Sequence, residues 1–149
     1  MYPVRNSVKA IIIRKNELLC IKKSDSDGDY YLLPGGGQNK NETFEDAVKR
    51  ECLEELGAKI SVNNLRYIRE YIAKNHEFKE TDNSHQVDFM FNCDLLTEPD
   101  FESAHEKDDG QSGIEWIDLD KSNEYRIYPK DLLNRINRKY EEVYWGDVN

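Results

Sequence analysis

The 149-residue chain holds only three cysteines and four prolines, no long apolar run, and no excess of basic side chains. Cys20, Cys52 and Cys93 are odd in number, widely spaced and set among apolar neighbours. That arrangement excludes a disulfide frame or a zinc cluster and reads as small core residues of a protein kept in a reducing cytoplasm. The longest apolar stretch, Ala10–Ile13, falls far short of the roughly 18 residues that a membrane-spanning helix needs, so no membrane partner is expected. Charges at Arg5, Lys9, Arg14 and Lys15 do not read as a signal peptide. With 21 Lys and Arg against 30 Asp and Glu, the net charge is −9, and there is no basic stripe of the kind that binds a nucleic-acid polymer. No repeat, low-complexity tract or linker is visible, so residues 1–149 are expected to form one domain.

The acidic surplus is concentrated. Residues 97–120 hold nine acidic side chains and one basic, while the rest of the chain is nearly balanced. Aromatic content of 11% and clear apolar periodicity mark a globular chain. Val8–Lys15 and Glu17–Lys23 read as strands joined by a tight turn at Lys15–Asn16. Ser24–Asp29 reads as a loop, and Tyr30–Leu33 as a strand ended by Pro34 and three glycines. Thr43–Leu56 reads as a helix, with Thr43 as N-cap and Gly57 just past its end. Leu65–Ala73 and Gln86–Leu96 alternate with period two; in the second, Val87, Phe89, Phe91, Cys93 and Leu95 form one apolar face. Lys74–His85 reads as a loop, Gly113–Leu119 as a strand, and Pro129–Val143 as an amphipathic helix. The order of elements predicts a layered α/β or α+β domain.

Glu51, Glu54 and Glu55 stand at i, i+3 and i+4 on the first helix, where like charges repel. Only Glu54 has a basic residue at helical spacing, Arg50, leaving Glu51 and Glu55 without one inside the helix. A hard divalent cation would relieve that repulsion, because such ions prefer carboxylate and carbonyl oxygens. Taken alone, three glutamates read as a solvated face and Gly35-Gly36-Gly37 as a turn.

Together they carry more. Gly36, five residues, Glu42, seven residues, then Arg50-Glu51-Cys52-Leu53-Glu54-Glu55-Leu56-Gly57-Ala58 resembles the complete signature of the Nudix hydrolase superfamily. Cys52 departs from the aliphatic residue usual at its position but stays apolar. The order of flanking strands and the last helix extends the likeness over most of the chain. The resemblance implies an α/β/α sandwich with a mixed sheet between helices. It also implies a Mg²⁺- or Mn²⁺-dependent hydrolase that cleaves the pyrophosphate of a nucleoside diphosphate linked to another moiety, by water attack on phosphorus.

Carried over residue by residue, Glu51, Glu54 and Glu55 would ligate the metal, with a carbonyl of Gly35 or Gly36. Arg50 would orient the carboxylates, and Glu42 would brace the loop–helix junction or a second metal. Gly36 and Gly37 would let the backbone approach the phosphates. Asp109, with Glu106 and Asp108 behind it, is the candidate for a further metal ligand or base, and Glu115 is read as structural. Arg69, Tyr71 and His85 are candidate substrate contacts. Tyr30 and Tyr31 suit either a base or the core, and Tyr144 and Trp145 suit either the core or a homodimer contact. The substrate expected is a small nucleotide, ADP-ribose or a related nucleoside diphosphate sugar. Subfamily markers are missing, since Lys74 stands where ADP-ribose enzymes often have proline and Tyr71 falls short of the tyrosine of dinucleoside polyphosphate enzymes. Hydrolysis of a nucleoside triphosphate is the rival, and a non-catalytic nucleotide-binding module a third reading, disfavoured because every glutamate of the signature is present.

Overall fold

A run of four apolar residues near the start of the chain sets the architecture. In the computed structural model, which describes residues 3–76, 83–104 and 111–149, Leu18–Ile21 are all buried. They lie on β3 (Glu17–Asp25), a strand covered on both faces. Leu18 and Cys20 enter one core cluster with Tyr67, Met90 and Trp145. Leu19 and Ile21 enter a second with Val8, Ala10, Val48, Cys52 and Leu56. A strand buried on both faces reads as a continuous apolar run rather than an alternation.

Before β3 come β1 (Arg5–Ile11) and β2 (Ile13–Arg14), and the turn into β3 holds Lys15 and Asn16 at φ 52° and 62°. These left-handed values are those of a tight hairpin turn, where the sequence places one. β4 (Gly28–Leu32) pairs with β3 as far as Asp25↔Gly28, so the expected loop shrinks to Ser26 and Asp27. β5 (Gly35–Gly37) follows, then α1 (Phe44–Leu56), β6 (Ile60–Ile72), one helical turn α2 (Ala73–His76) and β7 (His85–Leu95). After β8 (Gln111–Asp118) come β9 (Ile127–Tyr128), α3 (Leu132–Asn137) and β10 (Tyr144–Asp147). The first sheet runs β10-β6-β7-β1-β5; the second runs β2-β3-β4-β9, with β8 also paired to β3. Both are mixed: β1 is parallel to β7, β10 to β6 and β4 to β9. The molecule is therefore a mixed α+β fold of curled sheets with few helices, the class that the order of elements predicts.

α1 forms where the sequence places it. Thr43 Oγ1 accepts the Asp46 N–H at 3.0 Å, and Gly57 at φ 63° donates to the Leu53 carbonyl at 3.1 Å. Ala47, Val48, Cys52 and Leu56 are buried against the second core cluster, the larger side chains contributing about 2 kcal/mol each. Burial pushes the Cys20, Cys52 and Cys93 thiols up, so they stay protonated and pack as small apolar groups.

Two sequence readings need correction. The expected helix Pro129–Val143 is helical only over Leu132–Asn137. Lys139 takes φ 51°, the Tyr67 hydroxyl donates to the Tyr140 carbonyl at 2.9 Å, and the chain turns to lay β10 alongside β6. Burying Trp145 over Tyr67 outweighs the short-range helical stripe; Trp145 thus covers the core while Tyr144 stays exposed. In β7 the expected apolar face is only half-buried at Val87, Phe89 and Phe91, while Asp88 and Met90 on the alternate face are buried, Met90 in the first core cluster.

The glycine turn is under tight steric constraint. Gly35 has φ 146°, and a Cβ there would lie 1.9 Å from the Val8 carbonyl oxygen. Gly35→Ala is expected to lower stability by about 3 kcal/mol in urea unfolding, while Gly113→Ala, with open space around it, changes little.

Candidate active site

Arg50, in the middle of α1, gathers the groups that the sequence singles out. Its Nη2 and Nε donate to the two oxygens of Glu42, at 2.7 and 3.1 Å. Nη1 donates to Glu51 at 2.9 Å and to Glu54 at 3.2 Å. Nη2 also donates to the Gly37 carbonyl at 2.9 Å. One guanidinium therefore faces three carboxylates and the glycine turn, and these partners raise its pKa further. The expectation that Glu51 lacks a basic partner is corrected, because the wide planar guanidinium reaches its sequence neighbour as well as the residue one turn on. Glu42 also accepts the Asn39 N–H at 2.8 Å, fixing the loop that leads into the helix.

Glu55 turns the other way. It is buried, and its carboxylate accepts the Gly35 N–H at 3.0 Å, tying the end of α1 to β5. The three glutamates therefore do not form a solvated face. A Cβ on Gly36 would lie 2.6 Å from the Glu51 carboxylate, so the backbone rests directly on that group. Gly37 is similarly confined, with the Arg5 guanidinium 2.7 Å from where its Cβ would be.

The donor set fits a hard divalent cation in kind: carboxylates outnumber the single guanidinium of the network three to one, and backbone carbonyls stand beside them. Among the described residues, however, no three His, Cys, Asp or Glu side chains converge closely enough to form a ready-made metal cage. Glu106, Asp108 and Asp109 lie outside the described residues. Glu115 sits on β8 opposite Cys20, with one carboxylate oxygen buried and unpaired.

Two further clefts lie outside the carboxylate network, the first against the loop that follows the glycine turn. The first, of about 760 Å³, is lined by Arg5, Gln38, Lys40, His85 and Gln86 among others. The second, of about 680 Å³, is lined by Tyr30, Arg69, Tyr71, His76, Arg126 and Tyr128 among others. They share Ser84 and Gln86 as a common wall. Arg69 and Tyr71 thus fall in one cleft and His85 in the other, with His85 Nε2 3.4 Å from Glu70. Tyr30 and Tyr31 separate: Tyr31 is buried in the core, and Tyr30 faces the cleft edge-on to Tyr128, with Arg126 over its ring at 5.0 Å. Arg126 clamps both oxygens of Asp25 at 2.7 Å and holds that carboxyl down to about 2.

Arg126, Tyr128, His76 and Asp25 were not among the candidates from sequence. Nothing in their local pattern marks them, since they meet only when β4, β6 and β9 are brought together. Asp88 stands at a polar alternate position of β7, and its buried carboxylate accepts from Arg69 Nε and Gln86 Nε2, both at 2.7 Å.

Hydrogen bonds from Arg50, reinforced by the Asn39 N–H, hold the Glu42 carboxyl below its ordinary 4.5 despite the opposing effect of burial. A lowered carboxylate stabilises the fold above its ordinary titration range, and that contribution disappears as pH falls through the lowered value. Comparing urea midpoints of wild type and Glu42→Gln across pH should show a clear difference near neutrality that closes as pH falls below the ordinary carboxylate range.

Residues 3–136 match the family model of the NUDIX domain. An RNA pyrophosphohydrolase of Pelagibacter ubique is 32% identical over 69 residues, which span 46% of this chain and 41% of that protein. Among solved structures, a NUDIX hydrolase from Nitrosomonas europaea superposes with a TM-score of 0.72 at 18% identity, covering 95% of this chain and 93% of that one. A MutT mutator protein from Bacillus halodurans superposes at 0.69 with 21% identity, covering 96% and 88%. An ADP-ribose pyrophosphatase from Streptococcus suis superposes at 0.63 with 18% identity, covering 97% and 100%. These structural likenesses are to the fold, and the family model spans most of the sequence. The chain belongs to the NUDIX domain family.

Proposed function

We propose that this protein is a divalent-metal-dependent pyrophosphohydrolase that cleaves a nucleoside diphosphate linked to a second moiety. The observation that carries the reading is the Arg50 network: Glu42, Glu51 and Glu54 on one guanidinium, which also holds the Gly37 carbonyl of the glycine turn. Glu51, Glu54 and Glu55, with a carbonyl of the glycine turn, are the oxygens that would hold Mg²⁺ or Mn²⁺. Such an ion neutralises the pyrophosphate and lowers the pKa of water. Arg50 keeps Glu51 and Glu54 oriented, and Glu42 with the Asn39 N–H holds Arg50. Water attacks phosphorus, its proton passes to a neighbouring carboxylate for which Glu54 is the first candidate, and the bridging P–O bond breaks to give two phosphate monoesters. Arg69, Tyr71 and His85 are proposed substrate contacts, and Asp109 a further ligand or base.

Two clefts meeting at Ser84 and Gln86 suit a substrate with two ends, which favours ADP-ribose or another nucleoside diphosphate sugar. A UDP-X diphosphatase and an ADP-ribose pyrophosphatase, both of this reaction class, are among the proteins that share the fold. Nucleoside triphosphates and the 5′-triphosphate end of RNA, suggested by the Pelagibacter ubique relative, are the competing substrates.

A panel of ADP-ribose, UDP-glucose, deoxynucleoside triphosphates and a 5′-triphosphate RNA oligonucleotide, each with Mg²⁺, decides among them by release of monophosphate or pyrophosphate. Turnover is expected on the sugar-linked diphosphates and is expected to cease with a chelator. Glu54→Gln should lower kcat by about two orders of magnitude or more with the thermal midpoint maintained. A near-normal kcat in that variant would remove Glu54 from the site, and no turnover on any compound would leave a binding module.

A further inference from the structure

The cleft shared by Arg69 and Tyr71 contains a pair of stacked rings that the pyrophosphate chemistry does not use. Tyr71, near the end of β6, and His76, at the end of α2, lie 5.2 Å apart between ring centroids with 15° between their planes. Both line the cleft. The pair is locked in place from outside. Asp147 on β10 meets His76 Nε2 at 2.7 Å with Oδ1, which also accepts the Ile72 N–H at 2.9 Å. Its Oδ2 accepts from Asn75 Nδ2 at 2.8 Å. The helical turn that carries His76 is thus tied to one carboxylate of β10, besides the Ala73 N–H to Ser84 carbonyl bond at 2.9 Å.

Arg69 is fixed in a similar way. Its Nε donates to buried Asp88 and its Nη1 to the Val148 carbonyl, both at 2.7 Å, which holds the guanidinium 5.4 Å above the Tyr71 ring. Val148 and Asp147 lie beyond residue 136, where the match to the family model ends. The residues that lock this wall of the cleft are therefore outside the segment by which the family is recognised.

Charge decides what such a wall suits. Arg69 is ion-paired to Asp88, and Arg126 across the cleft is clamped by both oxygens of Asp25. With both guanidiniums already carrying a carboxylate, the cleft holds little net positive charge for a pyrophosphate. What remains is stacked ring surface bordered by amides, which favours an uncharged planar heterocycle.

We propose that the Tyr71–His76 ring pair, locked by Asp147 on the last strand, presents its outer face as a stacking platform for the nucleobase of the bound nucleotide, leaving its phosphates to the neighbouring cleft lined by Arg5 and Lys40. This rests on the proposed nucleotide substrate, and equilibrium binding tests it independently of turnover. Calorimetric titrations with ADP, UDP and inorganic pyrophosphate, each with Mg²⁺, would be compared for wild type, His76→Ala and Asp147→Ala. Asp147→Asn, which keeps an oxygen acceptor, serves as the conservative variant. Expected is tighter binding of the nucleotides than of pyrophosphate by wild type. His76→Ala and Asp147→Ala should then weaken ADP and UDP by about tenfold or more while leaving pyrophosphate unchanged, and Asp147→Asn should recover most of the loss. Nucleotides bound no tighter than pyrophosphate by wild type would overturn the platform. So would unchanged nucleotide binding in His76→Ala, or equal weakening of all three ligands in a variant that keeps its thermal midpoint. Failure of the hydrolase reading would show instead as nucleotide binding without turnover, which leaves the platform standing.

Discussion

One guanidinium holds the site together. Arg50 pairs with Glu42, Glu51 and Glu54 at once, and it also grips the Gly37 carbonyl. Without it, carboxylates at helical spacing would repel, and the loop from Gln38 to Glu42 would lose its anchor on α1. Hydrogen bonds to charged groups are stronger than neutral ones, and in this partly buried network each reinforces the orientation of the next. The guanidinium nevertheless leaves negative charge in excess, which is the condition under which an acidic site attracts a metal ion and then an anionic ligand.

That network depends on close approach of backbone to side chain. Glu55 accepts the Gly35 N–H, Gly36 lies on the Glu51 carboxylate and Gly37 borders Arg5, so β5 is fastened to α1 on one side and to β1 on the other. The left-handed φ of Gly35 and the near contact with Val8 leave no room for any side chain there. The helix is in turn aimed by its buried stripe of Ala47, Val48, Cys52 and Leu56. Packing of one face of α1 therefore determines where the opposite, charged face points.

The acidic excess of the sequence acquires a different meaning beside this arrangement. A charge of −9 argues against a nucleic-acid polymer, yet a site of clustered carboxylates receives polyphosphates through metal ions. The two clefts are themselves not acidic throughout. Arg5, Lys40 and His85 line one, while the guanidiniums of the other are matched by Asp25 and Asp88. Division of the cleft surface into a cationic half and a charge-matched aromatic half follows from which sheet edges meet at Ser84 and Gln86.

Much of the local structure was legible in the residues themselves. Thr43, Gly57 and the apolar stripe between them define α1, and the Lys15–Asn16 turn defines the first hairpin, because caps and turns are decided by contacts within a few residues. The signature from Gly36 to Ala58 likewise named the members of the Arg50 network, since most of its contacts join residues less than fifteen apart. Other features were decided only in three dimensions. The run Tyr140–Trp145 became a turn and a strand because Tyr67 and β6 offered it a partner, outweighing its helical stripe. Asp88 is buried because Arg69, nineteen residues earlier, neutralises it. Tyr30, Arg126, Tyr71 and His76 come from strands and turns far apart in the chain, and only the meeting of the two sheets puts them in one cleft. The sequence by itself determined the family and the helix bearing its carboxylates, through short-range periodicity and spacing. The tertiary structure decided which partners those carboxylates hold and what surrounds them, because long-range pairing and burial have no signature in neighbouring residues.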